Sequence, residues 1–222
     1  MLLWPFSDMR VAWSTVSIID PLFTLPLLVF VFLNLRLKRT WLSHLALFWV
    51  LGYLSFGFIQ HKRAQDAGWE LARQRGLEVI NLEAKPSFAN LLVWKLITTT
   101  DKKYYVDAVN VRGANAIVIE GESTQKLDID RDLPWLDKHS QQAKDIERFR
   151  WFSKGYLAMS STQDNTVVDM RYSLLPNEIK ALWGIHLDPK ASVDQHIEYV
   201  ELSKRLPGVF KQLWAMIIKT NK

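Results

Sequence analysis

The fold of this chain is decided by residues 18–35, IIDPLFTLPLLVFVFLNL, an apolar run that contains one acid and two prolines. Aspartate is a preferred N-cap residue, and proline fits the first helical position because its missing N–H has no helical partner there. Asp20 and Pro21 therefore predict the start of a helix over residues 21–37. An aspartate at the centre of a bilayer costs about 2.5–3.5 kcal/mol on insertion scales. We therefore expect Asp20 at a membrane boundary.

A second apolar run, WLSHLALFWVLGYLSFGFI, covers residues 41–59 and is long enough to cross a bilayer. The sequence RLKRT separates the two runs, which predicts a transmembrane helical hairpin with a short basic turn. The alternative is a pair of buried helices in a soluble core. Both runs are apolar on every face, which a surface helix would not be. Three aromatic residues are predicted interfacial anchors: Trp13, Trp41 and Tyr53.

The basic residues of the short turn, Arg36, Lys38 and Arg39, favour a cytoplasmic turn. Four basic residues after the second run favour the opposite orientation, with the C-terminal region in the cytoplasm: Lys62, Arg63, Arg73 and Arg75. With the turn inside, Asp8, Asp20 and the whole C-terminal region lie outside the cytoplasm. We expect no cleavable signal peptide, because no basic segment precedes the apolar run.

The fold class predicted from these patterns is α+β, a transmembrane helical hairpin followed by a mainly antiparallel sheet domain with flanking helices. Residues 1–59 form the membrane region and residues 60–76 a helical connector, which ends at Gly76, a favourable residue beyond a helix. Residues 77–222 form the extramembrane domain.

Within that domain, alternating apolar residues predict a hairpin over residues 91–111 and a short strand over residues 116–119. A helix is predicted over residues 134–149. A second hairpin is predicted to turn at residues 162–165, with one face of its second strand formed by Val168, Met170, Tyr172 and Leu174. The tail predicts an amphipathic helix that docks on the sheet or its neighbour rather than on lipid.

Composition and motifs give few signs of chemistry. The chain has no cysteine, so neither disulfides nor thiolate metal sites form, and a net charge of +5 without a basic run gives no case for nucleic acid. Residues 128–132, DIDRD, begin like a calcium loop but lack its glycine and glutamate, so a solvated acidic turn is expected. His186 and Asp188 form a weak candidate ligand pair, because they lie beside a turn on an alternating strand.

The segment LLWPFSDMRVAWSTVSIIDPLFTLPLL, residues 2–28, resembles part of the membrane-bound metal-dependent hydrolases, also described as LexA-binding inner-membrane hydrolases. The resemblance continues weakly through LARQRGLEV, PSFANLLVWKLI, ERFRWFSKGYLAMS and VVDMRYSLLPNE. It therefore covers nearly the whole chain, and its specific part is WPFSD followed by IIDPL and TLPLL.

The resemblance implies a multi-pass protein of the bacterial inner membrane and a divalent metal, zinc or similar, in the family. It places the metal-binding histidine motifs upstream of Met1, so the chain is expected to be an N-terminally truncated member that does not bind the metal tightly by itself. Asp8 and Asp20 are then the candidate site residues, at most orienting a metal ligand or substrate.

Two functions follow from these observations. The first is the C-terminal portion of a membrane-bound metal-dependent hydrolase, either inactive by itself or completed by a separate N-terminal half. The second is a non-enzymatic anchored binding or assembly module, whose exposed edge strand at residues 116–119 docks another membrane protein. The lipid bilayer is an expected partner in both, nucleic acid in neither, and contact with LexA is implied by the resemblance alone.

Overall fold

The computed structural model describes residues 14–17, 19–202 and 208–219. It is an α+β protein with two antiparallel sheets and one long apolar helix. The helices are α1 Pro21–Leu37, α2 Thr40–Gln74, α3 Ile129–Asp132, α4 Gln141–Phe152 and α5 Val209–Ile218. The strands are β1 Asn81–Pro86, β2 Val93–Thr99, β3 Lys103–Asn110, β4 Ile117–Gln125, β5 Leu157–Met159, β6 Thr166–Asp169, β7 Trp183–His186 and β8 Glu198–Glu201.

Helix α1 begins as its sequence predicts. Asp20 is its N-cap, and Pro21 occupies the first turn, where no backbone N–H is needed. The helix ends at Leu37, and the left-handed backbone of the next residue, Lys38 (φ 49°), turns the chain towards α2, which begins at Thr40. Helices α1 and α2 are in contact, and they project exposed apolar side chains outward, including Phe32 and Phe48.

Helix α2 is a single element of 35 residues. Within the described part of the chain it is the one helix that is long and apolar enough to cross a membrane; α1 is apolar but has 17 residues. Residues 60–76 were predicted as a helical connector that continues the second helix, and residues 60–74 are indeed the second half of α2. The predicted end is confirmed, because Gly76 has a φ of +64° just beyond the helix.

The first sheet has the strand order β1-β2-β3-β4 and contains the predicted hairpin as β2 and β3. The second half of α2 packs on one face of this sheet. A Cβ placed on Gly68 would lie 3.0–3.3 Å from the side chains of Leu82 and Leu96, so glycine permits this close approach. Trp94, fully buried, belongs to the same apolar core.

The second sheet has the order β5-β6-β7-β8 and is covered by α4. Its core includes Ile146 of α4 with Leu157, Val167 and Ile185 of three strands. The single sheet expected from the sequence is therefore two sheets. They meet through a separate apolar cluster that includes Ile97, Val106 and Met170.

Three local predictions need correction. The helix predicted over residues 134–149 begins later, at Gln141, because Ser140 supplies the N-cap hydroxyl to the N–H of Ala143. The predicted acidic turn is the short helix α3, since Asp128 caps its first N–H groups. The second strand of the later hairpin ends at Asp169, where the carboxylate binds the N–H of Arg171 and turns the chain.

Candidate functional site

Asp20, the candidate residue that the structure describes, lies at the start of α1, at the point where this helix packs against α2. Its Oδ1 accepts a hydrogen bond from the N–H of Phe23 at 3.2 Å, and its Oδ2 accepts one from the hydroxyl of Tyr53 at 2.7 Å. Only 4% of the residue is exposed. Both carboxylate oxygens are thus engaged, one in capping α1 and the other in joining α1 to α2.

Aromatic rings surround this carboxylate. The ring centroid of Tyr53 lies 5.3 Å from that of Phe23 and 5.6 Å from that of Trp49, whose indole N–H donates to the carbonyl of Phe23. Tyr53 was predicted as an interfacial anchor; its side chain is buried between the two helices, and its hydroxyl donates to Asp20. Trp41 is exposed, and Trp13 lies outside the described residues.

The candidate role of Asp8 as a second site residue stays a prediction, since Asp8 lies outside the described residues. Among the residues that the structure describes, no group of three or more His, Cys, Asp or Glu side chains has the arrangement of a metal site. The candidate pair at residues 186 and 188 does not converge. The Nδ1 of His186 lies 3.0 Å from the hydroxyl of Thr166, whereas Asp188 is exposed and accepts from the N–H of Lys190.

A layer of charged side chains between the two sheets was not predicted from the sequence. Asp169, fully buried, forms a two-point ion pair with Arg171. Lys95 of β2 is 4% exposed, and its Nζ donates to Ser173 Oγ at 2.7 Å and to the Glu178 carbonyl at 3.0 Å. The sequence signal for this layer was the alternation of polar residues Asp169, Arg171 and Ser173 with apolar ones. Only the fold shows that the first sheet covers the polar face.

Burial lowers the pKa of Lys95 to about 7, an effect that the carboxylate of Asp169 partly opposes. A neutral lysine beside a serine hydroxyl is a pair that can exchange a proton. Here, however, Ser173 Oγ also donates to the Leu175 carbonyl at 2.6 Å, and Lys95 is held by a second acceptor. These contacts join the first sheet to the segment after β6, so the pair stabilises the sheet interface.

An open cleft of about 1050 Å³ lies beside α3 and α4. Its charged lining carries both signs: Lys102, Lys126, Arg131, Lys138, Lys144 and Arg150 with Asp101, Asp128, Asp130 and Glu147. Several of these charges neutralise one another, as Lys138 does with Asp130 at 2.6 Å. The cleft therefore lacks the strong charge of one sign that selects an ionic ligand.

The edge of the first sheet offers a different kind of surface. Strand β4 is an edge strand, and its first three residues are the partly exposed apolar side chains Ile117, Val118 and Ile119. Further along the strand, the segment around Asn177 covers the edge. The side-chain amide of Asn177 donates to the carbonyl of Glu120 at 3.2 Å. The open part of the edge is thus short and uncharged.

The loop before this edge is tied to α2. Arg63 donates to the carbonyl of Val111 at 2.6 Å and to that of Ala114 at 3.0 Å, and it also binds the carbonyl of Gly113. Arg63 lies one turn beyond residue 59, where the apolar run of α2 ends. The open edge of β4 is therefore held close to the level at which the apolar part of α2 stops.

Comparison with known proteins adds no relative: no protein-family model, no curated protein and no solved structure matches this chain. The class of protein is therefore defined by its architecture, an α+β domain built onto one long apolar helix.

Proposed function

We propose that this chain is a membrane-anchored binding module. Helices α1 and α2 insert as a hairpin into a bacterial inner membrane, and the two-sheet domain presents the open edge of β4 to an extended segment of another membrane protein. The observation that carries this proposal is the continuity of α2, which extends from the exposed apolar region into the core of the first sheet.

The exposed side chains of α1 and α2 support insertion. Phe32 is 65% exposed and Phe48 is 75% exposed, and most of their neighbours on the outer faces are Leu, Val or Phe. Contiguous apolar surface of this extent is uncommon in water and marks a membrane or protein contact. Lipid around both helices would remove this surface from water.

The hydrogen bonds of Asp20 to α1 and α2 support the same proposal. Asp20, placed in the apolar region by sequence, has both oxygens in hydrogen bonds, as a buried carboxylate requires. We place the basic turn at residues 36–40 in the cytoplasm and the sheet domain outside it, by the positive-inside rule.

The edge of β4 supports the binding role, because the other sheet edges have features that discourage the addition of a strand. Strand β8 has exposed glutamates at both ends, Glu198 and Glu201, and β1 contains Lys85 and Pro86, features that discourage strand addition. At the edge of β5, the carbonyl of Leu157 already accepts a hydrogen bond from the N–H of Leu127. Among the described residues, nothing gives the apolar start of β4 such a protection, and a strand added there gains main-chain hydrogen bonds.

The resemblance of residues 2–28 supports a second candidate function. A metal-dependent hydrolase would be formed if the partner carried the histidine motifs that the resemblance places upstream of Met1. Reading the coding sequence before the Met1 codon and the neighbouring genes tests this candidate. Histidine motifs in frame or in an adjacent gene would support the hydrolase, and non-coding sequence would favour the binding module.

A photo-reactive phenylalanine at Val118 tests the binding role in membranes of cells that produce the protein. We expect one discrete adduct with a membrane protein, and we expect Ile117→Lys with Ile119→Lys to abolish it while the protein stays in the membrane. The same group at Tyr199, which is 62% exposed on the edge strand β8, is the matched control. The proposal fails if position 118 gives no adduct, or if positions 118 and 199 give the same adducts.

A further inference from the structure

Helix α5 has two apolar rows: an inner row that packs on the protein and an outer row that is largely exposed in the described part of the chain. Leu213 is 5% exposed, and the side-chain amide of Asn110 donates to the carbonyl of Met216 at 2.7 Å, so the inner row is docked on the first sheet. The outer row consists of large exposed side chains: Phe210 at 73%, Trp214 at 62% and Ile218 at 48%. Spaced four residues apart, they form one stripe along the helix.

The outer row lies near the level of the membrane helices. The ring of Phe210 is 5.9 Å from that of Phe88 in the loop between β1 and β2. In the same loop, the N–H of Ala89 donates to Ser17 Oγ at 3.3 Å, just before α1. Leu91 lies 3.5 Å from the Cβ position of Gly57. This loop therefore connects α5 to the last turn of the apolar part of α2.

The chemistry of α5 fits a lipid surface. Tryptophan and phenylalanine are characteristic of helices that lie in the membrane interface, with basic residues on the polar side. Residues 208–222 contain three lysines, Lys211, Lys219 and Lys222, and no acid. A surface of this composition is attracted to anionic headgroups.

We propose that α5 lies in the plane of the same bilayer that α1 and α2 enter, with its outer row at the boundary between headgroups and acyl chains. This inference rests on the proposed insertion of the helical hairpin. The domain is then fixed to the membrane at two places, the end of α2 and the face of α5, which restricts its tilt. The sequence predicted docking on the sheet instead of lipid; the inner row docks, and the outer row is assigned to lipid.

Spin labels on single cysteines test this inference in vesicles of phosphatidylethanolamine and phosphatidylglycerol. The chain has no native cysteine, so each label has one position. Labels at Phe210 and Ile218 should collide severalfold more with oxygen, relative to a water-soluble nickel chelate, than a label at Gln212. Gln212 is exposed on the polar side of the same helix and is the matched control.

A label at Phe48 separates the two proposals. Oxygen preference at Phe48 with water exposure at Phe210 and Ile218 would overturn the assignment of α5 and leave the membrane anchor intact. Water exposure at all three positions would overturn the anchor as well. Protection of Phe210 and Ile218 from both reagents would show that protein covers the outer row, which also contradicts the inference.

Discussion

Tyr53 of α2 donates a 2.7 Å hydrogen bond to the carboxylate of Asp20, and this contact joins the two apolar helices at one end. The other oxygen of Asp20 caps α1 through the N–H of Phe23. An acid that is unusual in an apolar sequence thus has a structural explanation. It begins one helix and attaches that helix to the next.

Replacing Tyr53 with Phe removes this hydrogen bond and leaves the ring in place. Because the acceptor is a carboxylate, we expect a loss of about 1.5–3 kcal/mol in the free energy of unfolding. Asp20→Asn should be milder than Asp20→Ala, since asparagine retains an N-cap oxygen and alanine does not. Urea unfolding in detergent, followed by tryptophan fluorescence, measures these differences. Equal midpoints for the wild type and Tyr53→Phe would contradict the role assigned to this contact.

Replacing either of two glycines of α2 with alanine should change the stability of the protein differently. A Cβ on Gly57 would lie 2.5 Å from the backbone oxygen of Thr15, so Gly57→Ala should destabilise the protein by about 1–3 kcal/mol. Outside the adjacent turns of its own helix, Gly52 has no described atom within 4 Å of its Cβ position. Gly52→Ala should therefore be neutral or slightly stabilising, because alanine has the higher helix propensity. The same unfolding assay compares the two variants, and a loss of stability in both would refute the packing described.

The ion pair between the sheets predicts a large effect from a small change. Asp169→Asn leaves Arg171 buried without its negative partner, which costs about 3–5 kcal/mol for pairs of this kind. The matched control is Glu70→Gln, which removes the exposed pair of Glu70 with Arg73 on α2. That variant should unfold at the wild-type urea concentration. Similar unfolding midpoints for the two variants would show that burial does not determine the cost.

Lys95 predicts how stability depends on pH. Its pKa of about 7 in the folded protein lies below its ordinary value of 10.5. Between these values the unfolded chain binds a proton that the folded chain does not, so stability rises with pH, by at most about 1.4 kcal/mol per pH unit. Urea midpoints should increase from about pH 7.5 to about pH 9.5, and Lys95→Met should reduce that slope. An identical slope in Lys95→Met would mean that Lys95 is not the titrating group.

The sequence-based predictions succeeded where the determining contacts are local. Asp20 and Pro21 mark a helix start, Gly76 follows a helix end, and the hairpin of β2 and β3 spans adjacent residues. The charged layer could not be predicted, because Lys95 and Ser173 meet across 78 residues of sequence. The burial of Tyr53 depends equally on a partner 33 residues away. Alternation shows which residues share a face of a strand, but not whether another sheet covers that face.

The proposed membrane hairpin is the central claim, and cysteine labelling in intact bacterial cells tests it most directly. Single cysteines at Phe48, Lys38 and Lys190 represent the apolar part of α2, the basic turn and the sheet domain; all three side chains are exposed. With a membrane-impermeant maleimide, we predict labelling at position 190 alone, and labelling at position 38 after the membrane is opened. Position 48 should remain unlabelled until detergent is added. Labelling of position 48 without detergent would contradict the membrane anchor, and labelling of position 38 in intact cells would reverse the proposed orientation.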